Sequence, residues 1–262
     1  MSFDENGFLG KQIHDIINGN YENHSDLFLL CEEINRFAQS IKYKFNINSE
    51  DMRGIIAASL FIKVHNAFQG SVIMYKYGLD TEAKVIIRTA LESLFALKAV
   101  VKIENFYKQL IESDRKKREK TLRRIKENPY GVFDNLQSES VLDELDKLTL
   151  ENRNKKIKIF EPKDLALLSE SYVEYYYAYN ILCNDAHTDI RAMEKYLIIK
   201  ENEEIDAFDS LPSTKDIERV LFTASYILSK ALICMNEYCK LSLDDDLKNI
   251  EQKISMLSKD IN

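Results

Sequence analysis

Apolar positions recur at steps of three and four along almost the whole chain, the period of a helix with one buried face. Between residues 25 and 45 they fall at Leu27, Leu30, Cys31, Ile34, Phe37, Ala38, Ile41 and Phe45. Ser25 is placed to cap this helix, and Asp26 suits its positive end. A longer helix is predicted from Ser49, whose hydroxyl can cap, as far as the stop at Gly78. A third follows after a very short turn, capped by Asp80 or Thr81, so the two form an antiparallel hairpin. Helical character then runs from residue 103 to the Pro129-Tyr130-Gly131 breaker, with a kink near 102. A short helix near 138–148 and a loop at 153–158 come next. Pro162 opens another helix. Ser213 and Asp216 form a variant capping box before a last long apolar helix. Segments 129–161 and 200–212 are polar and weakly patterned.

Two stretches stand out. Residues 85–101, VIIRTALESLFALKAVV, carry only three charges, Arg88, Glu92 and Lys98. A helix apolar nearly all round belongs at the centre of a bundle. Arg88 and Glu92 then need partners, and their i,i+4 spacing lets them pair. In the C-terminal segment, residues 242–262, Leu243, Leu247, Ile250, Ile254, Leu257 and Ile261 follow a heptad seam. That seam either packs on its own bundle or joins two copies, and a homodimer is expected.

The pattern as a whole predicts an all-α fold. It is an up-and-down bundle of about six to eight helices, several long, with a C-terminal heptad helix. One domain spans 1–262, with its core at about 25–241. Only 7 Gly and 3 Pro in 262 residues fit long helices with short joints. The net charge of −7 gives no global attraction to nucleic acid. Cys31, Cys183, Cys234 and Cys239 form no CxxC pair and no zinc spacing, as expected of free thiols in a reducing compartment. No secretory signal and no apolar run long enough to span a membrane is read, so a cytoplasmic protein without membrane contact is expected. ExxH, HExxH, P-loop, GxGxxG and GxSxG motifs are missing, which disfavours metal and nucleotide-fold enzymes; no cofactor and no metal is expected.

Candidate chemistry gathers in three places. The first is Arg88 with Glu92. The second is 172–197, where five of the fourteen tyrosines fall in eight residues. Tyr172, Tyr175, Tyr176 and Tyr179 follow helical spacing, as a packed aromatic face or a stacking surface. Beyond them lie Asn184, Asp185, His187, Asp189 and Arg191, with the histidine a candidate acid/base at a helix end. The third is DRKKREKTLRRIKEN, residues 114–128, with eight basic residues against three acidic ones. Lys116, Lys120, Arg123 and Arg124 are its candidate phosphate contacts, if it is more than a solvated helix.

RTALES and CNDAHTDIRAMEKYL resemble an uncharacterised bacterial helical family catalogued as a domain of unknown function (DUF5677-like). Its members carry an Arg-Ser-hydrophobic-hydrophobic-Glu motif and a later Leu-Ser-x-x-x-His motif. The likeness covers about residues 50–200, with Arg88, Glu92 and His187 at the matching positions. The serine four residues before the histidine is Cys183 here. The later motif is distantly similar to the HEPN superfamily of helical ribonucleases and defence proteins, although here Arg191 follows the histidine and no arginine closely precedes it. The resemblance implies RNA processing or defence, with His187 as acid/base, Arg88 on phosphate and Glu92 orienting one of them. The alternative is a non-catalytic interaction module with a protein partner, in which Arg88, Glu92 and His187 form a structural network.

Overall fold

The computed structural model describes residues 3–153, 155–186 and 190–259. His187 and Asp189 lie outside the described residues, as does the side chain of Arg191. The helices are α1 (Phe3–Asn6), α2 (Ile13–Asn23), α3 (Ser25–Lys42), α4 (Met52–Lys76), α5 (Asp80–Lys102), α6 (Phe106–Glu127), α7 (Glu139–Asn152), α8 (Pro162–Leu168), α9 (Asn180–Ala186), α10 (Ile190–Met193), α11 (Ile217–Cys239) and α12 (Asp244–Lys259). A π-helix, Glu174–Tyr179, leads into α9. The fold is an all-α bundle.

Helix α5 sits at the centre, packed against α4, α11, α8 and α9. Ala83, Ile87, Leu91, Leu94, Phe95, Leu97 and Val100 are fully buried, as its near-uniform apolar character requires. Its C-terminal carbonyls at Val100 and Val101 are closed by the Arg53 guanidinium at 2.9 and 2.6 Å. The turn between α4 and α5 needs Gly78: its φ is +73°, and a β-carbon there would meet Pro212 at 2.6 Å.

Local details differ from the sequence expectations. The α4 cap is Asp51, not Ser49; its carboxylate accepts from Gly54 N at 2.9 Å. Ser25 is already inside α3, and Asp80 is the first residue of α5. Asp216 precedes α11 without capping it, because its carboxylate is held by Lys84. The irregular segment near 200–212 contains an antiparallel hairpin, β1 (Leu197–Ile199) with β2 (Ile205–Phe208).

The heptad seam is occupied within the chain from Leu243 to Ile254, while the Leu257 side chain and Ile261 lie outside the described residues. Leu243, Leu247, Ile250 and Ile254 are all buried, on a helix that packs against α11 and α3. No apolar stripe of these four is left to join two copies. No helix among the described residues is long and apolar enough to cross a membrane.

Candidate functional site

Arg88 and Glu92 meet as their spacing predicts, with Nη2 and Oε1 3.2 Å apart. The third member is Tyr179. Its hydroxyl donates to Glu92 Oε1 at 2.8 Å and accepts from Arg88 Nη2 at 3.1 Å. The guanidinium also lies over the Tyr179 ring, 5.3 Å from its centroid. Cys183 lies beside the same guanidinium. Arg88 Nε is buried with no hydrogen-bond partner among the described residues.

The cluster is reachable. The Arg88 side chain is 24% exposed and that of Glu92 32%, while Tyr179 is buried. Burial opposes the charge on Arg88, but its hydrogen bond to Tyr179 and the neighbouring Cys183 outweigh it and hold its pKa above the ordinary value. Burial, then the carboxylate of Glu92, push the Tyr179 phenol well above its usual range, so it stays a neutral donor.

Why α5 carries these charges becomes clear from its partner. The segment 170–183 runs antiparallel along one face of α5, and that face is polar. Beyond Arg88 and Glu92, Lys98 donates to Ser171 Oγ at 2.5 Å and reaches Glu174 at 3.4 Å. Tyr226 of α11 donates to the same Glu174 at 3.3 Å. Lys102 pairs with Glu170 at 2.8 Å. The stripe is a docking register, and the π-helix sits within it. A π-turn takes in one extra residue, and here it carries Tyr179 to Glu92 while Glu174 stays on Lys98. Lys98 was visible in the sequence as a charge, but not as a member of this stripe.

The remaining candidates separate. Asn184 and Asp185 line a cleft of about 760 Å³. Its floor is Lys84, held between Asp80 at 2.6 Å and Asp216 at 2.5 Å, with the Tyr75 hydroxyl donating to Asp80 at 2.7 Å. Asp185 pairs with Lys195 at 2.8 Å on its wall. Lys84 is one helical turn from Arg88, so the cleft opens beside the cluster. The sequence reading missed Lys84, because a lysine one turn from a helix start looks like a solvated residue.

The basic helix α6 is largely neutralised. Lys116 and Arg123 both bind Glu119, at 2.7 and 2.9 Å, and Asn152 of α7 donates to it at 2.9 Å. Lys116, with help from Asn152 and Arg123, pulls the Glu119 carboxyl down to about 2. Arg118 pairs with Glu144 of α7 at 2.6 Å. Lys120 and Arg124 are exposed, with no ion pair among the described residues. Cys31 and Cys234 are buried free thiols, and burial raises both pKa values, to about 12 and about 11. No group of three or more His, Cys, Asp or Glu able to hold a metal occurs among the described residues.

Residues 54–205, more than half of the chain, match the model of a family described as "Family of unknown function (DUF5677)". The chain belongs to that family. The matched region includes Arg88, Glu92, Tyr179 and Cys183, so the whole cluster and the segment docked on α5 lie inside it. The helices α11 and α12, which complete the core, lie outside it. No curated protein and no solved structure matches the chain.

Proposed function

We propose that this member of the family is a HEPN-like RNA-processing or defence protein that cleaves RNA without a metal. His187 takes the proton of a ribose 2′-hydroxyl. The freed oxygen attacks the adjacent phosphorus, and the bond to the 5′-oxygen breaks as that oxygen receives the proton. The products are a 2′,3′-cyclic phosphate and a 5′-hydroxyl. Arg88 offsets charge on the phosphate, and Glu92 orients Arg88 or His187. Lys120 and Arg124 are the phosphate contacts left free on α6, whereas Lys116 and Arg123 reach a substrate only by leaving Glu119. Tyr179, Asn184, Asp185 and Arg191 are the remaining binding candidates.

The observation that supports this reading is the cluster itself: a part-exposed arginine and glutamate joined by a neutral tyrosine hydroxyl. In the sequence, His187 follows Cys183, which lies beside Arg88, by four residues. The test is RNA cleavage and growth inhibition by wild type and by a folded His187→Ala variant. Loss of both in the variant is expected. Equal behaviour of the two proteins would end the ribonuclease reading.

A second reading has its own support. Tyr179 already bonds to both charged groups, and α7 pairs with several basic residues of α6, as in a non-catalytic interaction module with a structural network. Its signature is a cluster variant that changes stability and no RNA-dependent property.

A further inference from the structure

Helix α6 carries one stripe from the bundle out into solvent. Phe106, Leu110, Ser113, Lys117, Lys120 and Arg124 follow one another at steps of four and three, so they share a side. The first half of that side is covered. Phe106 and Ser113 are buried; Phe106 meets Phe160 edge-on at 5.1 Å between centroids, and Ser113 Oγ accepts from Phe160 N at 3.2 Å. From Lys117 onward the same side is exposed, and its three cations have no ion pair among the described residues. The other cations of this half of α6 are taken. Arg115, Arg118 and Lys126 pair with Glu151, Glu144 and Asp146 of α7, at 4.0, 2.6 and 3.9 Å. Lys116 and Arg123 hold Glu119, the only carboxylate between Asp114 and Glu127, which is buried against Asn152 of α7. Repulsion along the stripe is therefore left unrelieved by the chain itself.

We propose that Lys117, Lys120 and Arg124 form a strip that holds the phosphate backbone of a single nucleic-acid strand without reading its bases. The occupant follows from what the strip has and lacks. A protein partner needs an apolar centre to bury, and a membrane-surface helix needs an apolar face. The strip offers neither, because Leu122 and Ile125, the apolar side chains of this half of α6, pack with Leu145 and Leu148 of α7. A phosphate backbone asks only for cations at regular intervals. One row of cations follows one strand. From Lys117 to Arg124 the helix rises about 10 Å, close to three phosphate steps of roughly 3.4 Å along a stacked strand. The net charge of −7 opposes nucleic acid over the rest of the surface, so contact is confined to the strip. Lys117 joins the two free α6 cations already assigned to phosphate. Holding a strand this way does not depend on cleavage at the Arg88 cluster.

Fluorescence anisotropy of the full chain with labelled oligothymidine and oligouridine tests it. Oligothymidine has no 2′-hydroxyl, so it is held without being cut by the chemistry proposed above. Three phosphate contacts on a single strand give a salt slope of about −2, or roughly a twentyfold loss of affinity between 50 and 200 mM salt. The triple variant Lys117→Gln, Lys120→Gln, Arg124→Gln is expected to lose that slope with an unchanged far-ultraviolet spectrum. If it folds poorly, Lys120→Gln alone should lower the slope by about 0.7. The triple variant Arg115→Gln, Arg118→Gln, Lys126→Gln removes the same charge from the side held by α7 and should keep the slope. Equal loss in both triple variants overturns the proposal, since overall charge and not the strip would then be at work. Failure of wild type to bind oligothymidine also overturns it, as does a marked preference for either probe, which would mean that sugar or base is read. Binding to vesicles of phosphatidylserine and phosphatidylcholine through the same three residues, with neither oligonucleotide held, would overturn it in favour of a membrane surface. Oligouridine held but never cut supports the strip and ends the ribonuclease reading.

Discussion

Tyr179 is the residue on which the cluster turns. Its hydroxyl bridges Arg88 and Glu92, and its ring carries the guanidinium. Tyr179→Phe keeps the ring and removes the hydroxyl. The direct Arg88–Glu92 contact survives, so the expected loss is modest, roughly 1 kcal/mol in urea unfolding. Lys84 is a stricter case. Its side chain is only 6% exposed between two carboxylates, so Lys84→Met leaves like charges facing each other and should cost roughly 3 kcal/mol. His65 gives a pH signal. Burial, reinforced by Lys42, lowers its pKa from 6.5 to about 4, while Nε2 donates to Asn35 at 2.8 Å. The folded form holds it neutral, and the unfolded chain protonates first as pH falls. Stability therefore declines from pH 6.5 down to about 4 and then levels off for this group. The loss is on the order of 3 kcal/mol, and His65→Gln should remove it from a urea titration against pH. Glu119 acts lower, losing its stabilising ion pairs between about 4.5 and 2. A separate lower step should persist in the His65 variant.

Elements differ in how plainly the sequence announces them. Helix α5 was legible as a central helix because apolar residues on every side leave it no wet face. Its charged positions were legible as a pair, but not as a stripe, since their partners lie some ninety residues on, as Arg88 to Tyr179 shows. The π-helix was not legible: one inserted residue leaves the apolar spacing almost unchanged. Nor was the hairpin. All four residues of β2 are exposed, so no alternation of buried and wet positions marks it. The heptad of α12 was visible, yet a heptad alone does not say whether its cover comes from the same chain. Here it does. Leu247→Ala and Ile250→Ala should each cost roughly 2 to 4 kcal/mol in urea unfolding. Near-neutral substitutions would take that stripe out of the core.

At the scale of the whole molecule, one long helix carries both the core and the site. Three sides of α5 anchor the bundle, and the fourth holds the segment that brings Tyr179 and Cys183 to Arg88. The cleft over Lys84 opens one turn away. The direct test of the central claim is the end-group chemistry of RNA incubated with the protein in a metal chelator. Wild type is expected to release fragments ending in 2′,3′-cyclic phosphate, and folded Arg88→Ala to release none. Intact RNA with folded wild type, or the same fragments from the variant, would contradict the assignment.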